Sequence, residues 1–213
     1  MPSNGNSGYE KIFTMEATPI KYGPGAAEEV GWELSRMGVK RVMLTTDPGV
    51  VEAGIAGRAR ELIEAAGIEV EVWDKSRVEP TADSLAAAAE FAREGNFDGF
   101  VAVGGGTSID TAKVSDLIST HGGEIMDYVN PPVGGGKKPP SPLKPLLAVP
   151  TTAGTGAEAT TVAILDIPEQ KVKTGISHAY LRPDRGIVDP LLTASLPAEV
   201  TSSAGLDVVC HAA

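Results

Sequence analysis

"AVGGGTSIDTAK" (residues 102–113) sets three consecutive glycines between an apolar run and a helix-like stretch carrying Asp110 and Lys113. A strand that ends in glycines and opens a helix brings bare backbone N–H groups to a helix N-terminus. The orphan donors and the helix dipole both favour an anion there. Thr107 is the expected N-cap, and Asp110, three residues on, completes a Thr-x-x-Asp capping pattern. The spacing is neither Gly-x-Gly-x-x-Gly nor a Walker A loop, so it is not the standard dinucleotide fingerprint. Taken alone, the triplet reads equally well as a tight strand–helix turn with no ligand.

A second stretch repeats the logic. In "AVPTTAGTGAEAT" (148–160), Thr151, Thr152, Gly154, Thr155 and Gly156 follow another apolar strand. In a parallel sheet both strand ends face one edge, and open α/β sheets bind ligands at that edge. Two such loops point to a phosphate-bearing small molecule. A third stretch, "TTDPG" (45–49), offers Asp47. Its carboxylate could meet a ribose hydroxyl, or Asp-Pro-Gly could simply be a turn.

The remaining pattern predicts an α/β fold with a mostly parallel sheet. Helical spacing covers 26–38, 55–67 and 81–95, with Gly38 and Gly67 as stops and Thr81 or Asp83 near an N-cap. Strands are expected at 41–47, 68–74, 97–103 and 146–150, and a hairpin at 161–166 and 173–178. Residues 130–145 hold six prolines and three glycines, which makes them a long loop or a linker between domains. Residues 185–197 lead toward a helical tail ending at Ala213.

Composition narrows the partners. The 213-residue chain is 42% hydrophobic with a formal net charge of -10, so it should repel nucleic acid and anionic lipid. A small molecule is the expected partner. No run reaches the ~18 apolar residues of a membrane span. The N-terminus "MPSNGNSGYEKIF" has no apolar core and is not Arg-rich, and Cys210 is the single cysteine. Together these favour a cytoplasmic location.

"GGGTSIDTAK", "AVPTTAGTGAEAT" and "GLDVVCHA", in that order, resemble the iron-dependent (group III) alcohol dehydrogenases from about Thr18 to Ala213. "RVEPTADSL", "MDYVNPPVGGGK" and "PAEVTSSAGLDVVCHA" are most similar to the hydroxyacid-oxoacid transhydrogenases of that family. The resemblance makes 130–145 an insertion. It implies a Rossmann-like dinucleotide-binding domain over 1–195. Residues 196–213 would be the first helix of an all-helical metal-binding domain that is otherwise missing from the chain. It also implies NAD, a divalent metal (iron first, zinc second) and a homo-oligomer, taken as a dimer. By motif matching, Gly105, Gly106, Thr107 and Ser108 would hold the pyrophosphate, and Asp47 the adenosine ribose. Thr151, Thr152 and Thr155 would line the cleft, Lys173 would meet the nicotinamide ribose, and Glu79 would lie near the adenine. Asp207 and His211, four apart on one helix face, would be metal ligands, with Cys210 a packing residue. No side chain is assigned as general base. The family uses two further histidines downstream, so the chain is expected to be a fragment or to work with another chain. His121 and His178 are read as ordinary surface or loop residues.

Overall fold

Strands that are apolar throughout need cover on both faces, and that requirement sets the layers. The computed structural model describes residues 16–213. In chain order the elements begin with β1 (Ile20–Tyr22), α1 (Val30–Arg36), β2 (Arg41–Thr45), α2 (Pro48–Glu52) and α3 (Ile55–Ala65). Next come β3 (Glu69–Trp73), α4 (Ala82–Gly95), β4 (Gly99–Gly104), α5 (Gly106–His121) and α6 (Ile125–Tyr128). The last are β5 (Leu146–Pro150), β6 (Val162–Ile167), β7 (Val172–Ser177), β8 (Arg185–Val188) and α7 (Ala198–Ala212). Six strands form one parallel sheet in the order β1-β8-β5-β4-β2-β3. β6 and β7 pair antiparallel as a separate hairpin.

Side-chain alternation divides the core. Val101 and Val103 of β4 pack on one face with Val30 and Leu34 of α1 and Ile63 of α3. Phe100 and Ala102 face the other way, onto Ala88 and Ala92 of α4 and Ile109 and Ala112 of α5. Beyond those helices, Leu85, Val114 and Leu117 meet Leu165 and Ile176 of the hairpin. α5 is therefore enclosed between sheet and hairpin, and every residue from Ser108 to Ile118 is buried.

Local signals act where the sequence places them. Gly38 and Gly67 take φ of +79° and +77° just past α1 and α3, the left-handed geometry that ends a helix. Thr81 caps α4 by accepting the Ser84 N–H at 3.3 Å. Residues 130–145 are not a linker. Gly135 N–H donates to Met126 O at 2.9 Å and Asn130 N–H to Gly175 O at 2.9 Å, so the loop is folded back on α6 and β7. Two strands lie outside the sequence expectations. β1 is three residues long, and β8 sits inside the stretch read as a lead into a helical tail. The 26–38 segment opens with a 3-10 turn at Ala26–Glu29 before α1 begins. No helix among the described residues is long and apolar enough to cross a membrane.

Candidate functional site

β4 and β5 are neighbours and end together: Gly104 pairs with Pro150, and its carbonyl accepts the Thr151 N–H at 3.0 Å. Both glycine-rich loops thus open on one cleft of about 670 Å3, lined among others by Asp47, Ser76, Gly105, Gly106, Thr107, Thr151 and Thr152. The three glycines have different reasons. A Cβ on Gly104 would lie 2.4 Å from Ser108 Oγ, and one on Gly106 would lie 2.8 Å from Thr155 Oγ1. Those two are demanded by the chain's own packing. A Cβ on Gly105 would make only ordinary contact, 3.4 Å from Thr152 Oγ1, and would stand in the cleft.

Gly105, not Thr107, is the N-cap of α5. With the helix starting at Gly106, Thr107 falls in the first turn, where its N–H and that of Gly106 have no intrahelical acceptor. The Thr-x-x-Asp capping pattern is therefore not formed. Asp110 instead accepts the Ile164 N–H of β6 at 3.0 Å. Lys113, fully buried, donates to Val162 O at 2.8 Å and to Thr160 O and Oγ1 at 3.1 Å each, with Asp110 Oδ1 3.6 Å away. Burial pushes the Asp110 carboxyl up to about 6, opposed by Lys113 and the Ile164 N–H. Burial also pushes the Lys113 ammonium down, opposed by Asp110. The acid and lysine of the opening motif thus tie α5 to the hairpin that follows the threonine loop.

Asp47 does two jobs. It caps α2 by accepting the Val50 N–H at 3.1 Å, with Pro48 at the first helical position. Its other oxygen accepts from Ser108 Oγ at 3.3 Å. The Asp-Pro-Gly signal starts a short helix, and Asp47 still lines the cleft. Ser108 is fully buried and supports Asp47 from behind the cleft wall. Thr155 is exposed, packs against Gly106 and accepts the Ala157 N–H at 3.3 Å. Lys173 and Glu79 are both exposed and lie 3.1 Å from each other. Neither lines the cleft, although Val78 beside Glu79 does.

Asp207 and His211 come together on α7, with His211 Nδ1 3.9 Å from Asp207 Oδ2. His211 Nδ1 is also 3.2 Å from Gly154 O. A carbonyl only accepts, so Nδ1 is the donor in that contact and Nε2 is the ring nitrogen not engaged by it. A Cβ at Gly154 would lie 3.1 Å from Asp207 Oδ2, so α7 rests closely on the threonine–glycine loop. One carboxylate and one imidazole suit iron or zinc but are too few to complete a site. Among the described residues, no group of three or more His, Cys, Asp or Glu could hold a metal. Cys210, read from the sequence as a packing residue, is exposed among the described residues. His178 Nδ1 accepts the Tyr180 N–H at 3.2 Å, and His121 Nε2 lies 2.9 Å from Ser141 O, both local structural roles.

A family model described as iron-containing alcohol dehydrogenase matches residues 17–190. The chain belongs to that family. It is 46% identical over 212 residues to the hydroxyacid-oxoacid transhydrogenase, mitochondrial, of mouse, covering 99% of this chain and 45% of that protein. The chain therefore spans less than half the length of this curated relative. Its fold matches a crystal structure of 1,3-propanediol oxidoreductase with a TM-score of 0.86 and 32% identity, over 95% of this chain and 52% of that one. It also matches sulfoacetaldehyde reductase from Bifidobacterium kashiwanohense, solved in complex with NAD+, with a TM-score of 0.84 and 32% identity, over 93% and 51%.

The sheet and its flanking helices form the Rossmann-like domain of iron-containing alcohol dehydrogenases. The cytoplasmic expectation is overturned, because the mouse relative is named as a mitochondrial protein. A polar segment and a lone cysteine do not separate one reducing compartment from another, which is why composition misled. Sequence reasoning also missed Ser76 and Glu52, both of which line the cleft. Nothing in "DKSRVEP" or "PGVVE" marks them, since their position depends on how β3 and α2 end.

Proposed function

We propose that this chain supplies the nucleotide-binding half of a metal-dependent, NAD-linked oxidoreductase, most closely a hydroxyacid-oxoacid transhydrogenase. The observation that carries the reading is the 46% identity to the mouse enzyme along 99% of this chain. The cleft at the ends of β4 and β5 supports it. The free N–H groups of Gly106 and Thr107 would take the pyrophosphate. Thr151 and Thr152 would wall the nicotinamide side, and Asp47 would accept from a ribose hydroxyl. Asp207 and His211 would hold two positions of a divalent metal, ferrous iron or zinc, which when bound polarises the substrate oxygen. Further ligands would come from outside this chain, with α7 as the first helix of a helical domain. The nucleotide, when bound, would carry a hydride from the hydroxyl carbon of one acid, which also gives up its hydroxyl proton to water, to the carbonyl carbon of an oxoacid, whose oxygen takes a proton back.

The test uses the full-length protein carrying this chain, with 4-hydroxybutyrate as donor and 2-oxoglutarate as acceptor. Coupled turnover without free NADH supports transhydrogenation. NADH accumulating in solution supports the second reading, an ordinary alcohol dehydrogenase, which the likeness to 1,3-propanediol oxidoreductase favours. No hydride transfer with metal supplied leaves a nucleotide-binding module.

NAD is the proposed cofactor rather than NADP. Asp47 and Glu52 line the cleft and, among the described residues, no Lys or Arg does. A 2′-phosphate would meet two carboxylates and no cation. Titration with both nucleotides should favour NAD, and Asp47→Gly should narrow the gap. Equal or tighter NADP binding would sink the assignment.

A further inference from the structure

The end of β2 and the first turn of α5 are joined in both directions. Thr45 donates its hydroxyl to Ser108 O at 2.9 Å. Ser108 in turn donates its own hydroxyl to Asp47 Oδ2 at 3.3 Å. Thr45 and Ser108 are fully buried, whereas Asp47 is half-buried and lines the cleft. The other oxygen of Asp47 accepts the Val50 N–H at 3.1 Å. Each carboxylate oxygen is thus held by a donor of the chain's own, one from α2 and one from α5. Donors on both oxygens fix the plane of the carboxylate as well as its place.

The bond from Ser108 to Asp47 passes over Gly104. A Cβ there would lie 2.4 Å from Ser108 Oγ and 3.2 Å from Asp47 Oδ2. The first glycine of the triplet therefore leaves open the space in which these two side chains meet. Water in the cleft could replace Ser108 as a donor to Asp47, so the bond is not needed merely to satisfy the carboxylate. What water cannot supply is a fixed direction.

We infer that Ser108 is a positioning residue for nucleotide discrimination. It holds the Asp47 carboxylate in the orientation that accepts from a ribose 2′-hydroxyl and repels a 2′-phosphate. Ser108 is enclosed and does not line the cleft, so it acts through Asp47 and not on the ligand. The inference rests on the proposal that the cleft binds NAD through Asp47.

The experiment titrates NAD and NADP into the full-length protein carrying this chain, into its Ser108→Ala and Asp47→Gly variants, and into the double variant. Ser108→Ala removes one oxygen and adds no bulk, so the fold should persist, which circular dichroism checks. Its ratio of NAD to NADP affinity should fall by about two- to tenfold, the net worth of one hydrogen bond. In the Asp47→Gly background the same substitution should leave the ratio unchanged, because the carboxylate that Ser108 orients is gone. Equal weakening of both nucleotides, an unchanged ratio in Ser108→Ala, or the same fall in both backgrounds would overturn the inference while leaving the NAD reading intact. A wild-type protein with no preference for NAD overturns both.

Discussion

α5 and α7 both reach the same cleft, but they are held there by different means. α5 buries every residue from Ser108 to Ile118 and is tied to the hairpin through Asp110 and Lys113. α7 buries none of its residues and leaves Leu206 at 67% and Val209 at 61% exposed. Its contact with the loop runs through His211 and Gly154. The glycine end of the cleft, proposed for the pyrophosphate, is thus built from the chain's own core. The proposed metal pair, Asp207 and His211, sits on a helix whose apolar side chains have no cover among the described residues.

The sharpest way to break this contrast is Lys113→Met. It would strand Asp110 and three acceptors in the interior, and loss of one partner of a buried pair costs about 3–5 kcal/mol. Urea unfolding should show that loss, and a midpoint near wild type would mean that the tie is ornamental. Gly105→Val should act on the ligand instead. The fold should persist, because a Cβ at that position makes only ordinary contact with Thr152. NAD affinity by calorimetry should fall by about a hundredfold, roughly 2.7 kcal/mol. A folded variant with unchanged affinity would reduce the loop to a turn.

A smaller effect tests the far end of α5. Asp116 is buried and accepts from Thr120 Oγ1 at 2.9 Å and the Lys144 N–H at 3.3 Å. Burial raises its carboxyl to about 7, whereas in the unfolded chain it would titrate near ~4. The folded state therefore holds the extra proton between those values, and stability falls as pH rises through that window. Asp116→Asn keeps an acceptor and removes the titration. Its melting temperature should exceed wild type above about pH 7 and converge with it below about pH 4. Parallel curves would refute the assignment. The least effect belongs to α7. Leu206→Ala should change the stability of the 213-residue chain by no more than ~0.5 kcal/mol, as for a surface site. A loss of several times that would show that α7 is packed in solution.

How much of this was legible beforehand depends on the range of each interaction. The helices at 55–65 and 82–95 announce themselves through local periodicity, the stop at Gly67 and the N-cap at Thr81. The two loops at one sheet edge followed from strand–glycine grammar alone. Lys113 was visible as a residue but not as an anchor, because its acceptors lie 47 and 49 residues away. Asp47 looked like a choice between a turn and a ligand contact, and the fold lets it cap α2 while facing the cleft. Lys173 and Glu79, matched separately to a cofactor, meet each other across 94 residues. Such pairings are set by the fold and leave no mark in sequence spacing.

Among the described residues the cleft has no lysine or arginine, and that also governs how it responds to salt. A pyrophosphate taken up there would be held by N–H and hydroxyl dipoles, so few counterions are displaced from protein or ligand on binding. The chain's formal charge of -10 meanwhile repels an anionic nucleotide at long range. Moderate ionic strength screens that repulsion over a Debye length of about 8 Å. It would leave the short dipolar contacts untouched, so added salt should tighten nucleotide binding where a lysine-lined phosphate site would loosen.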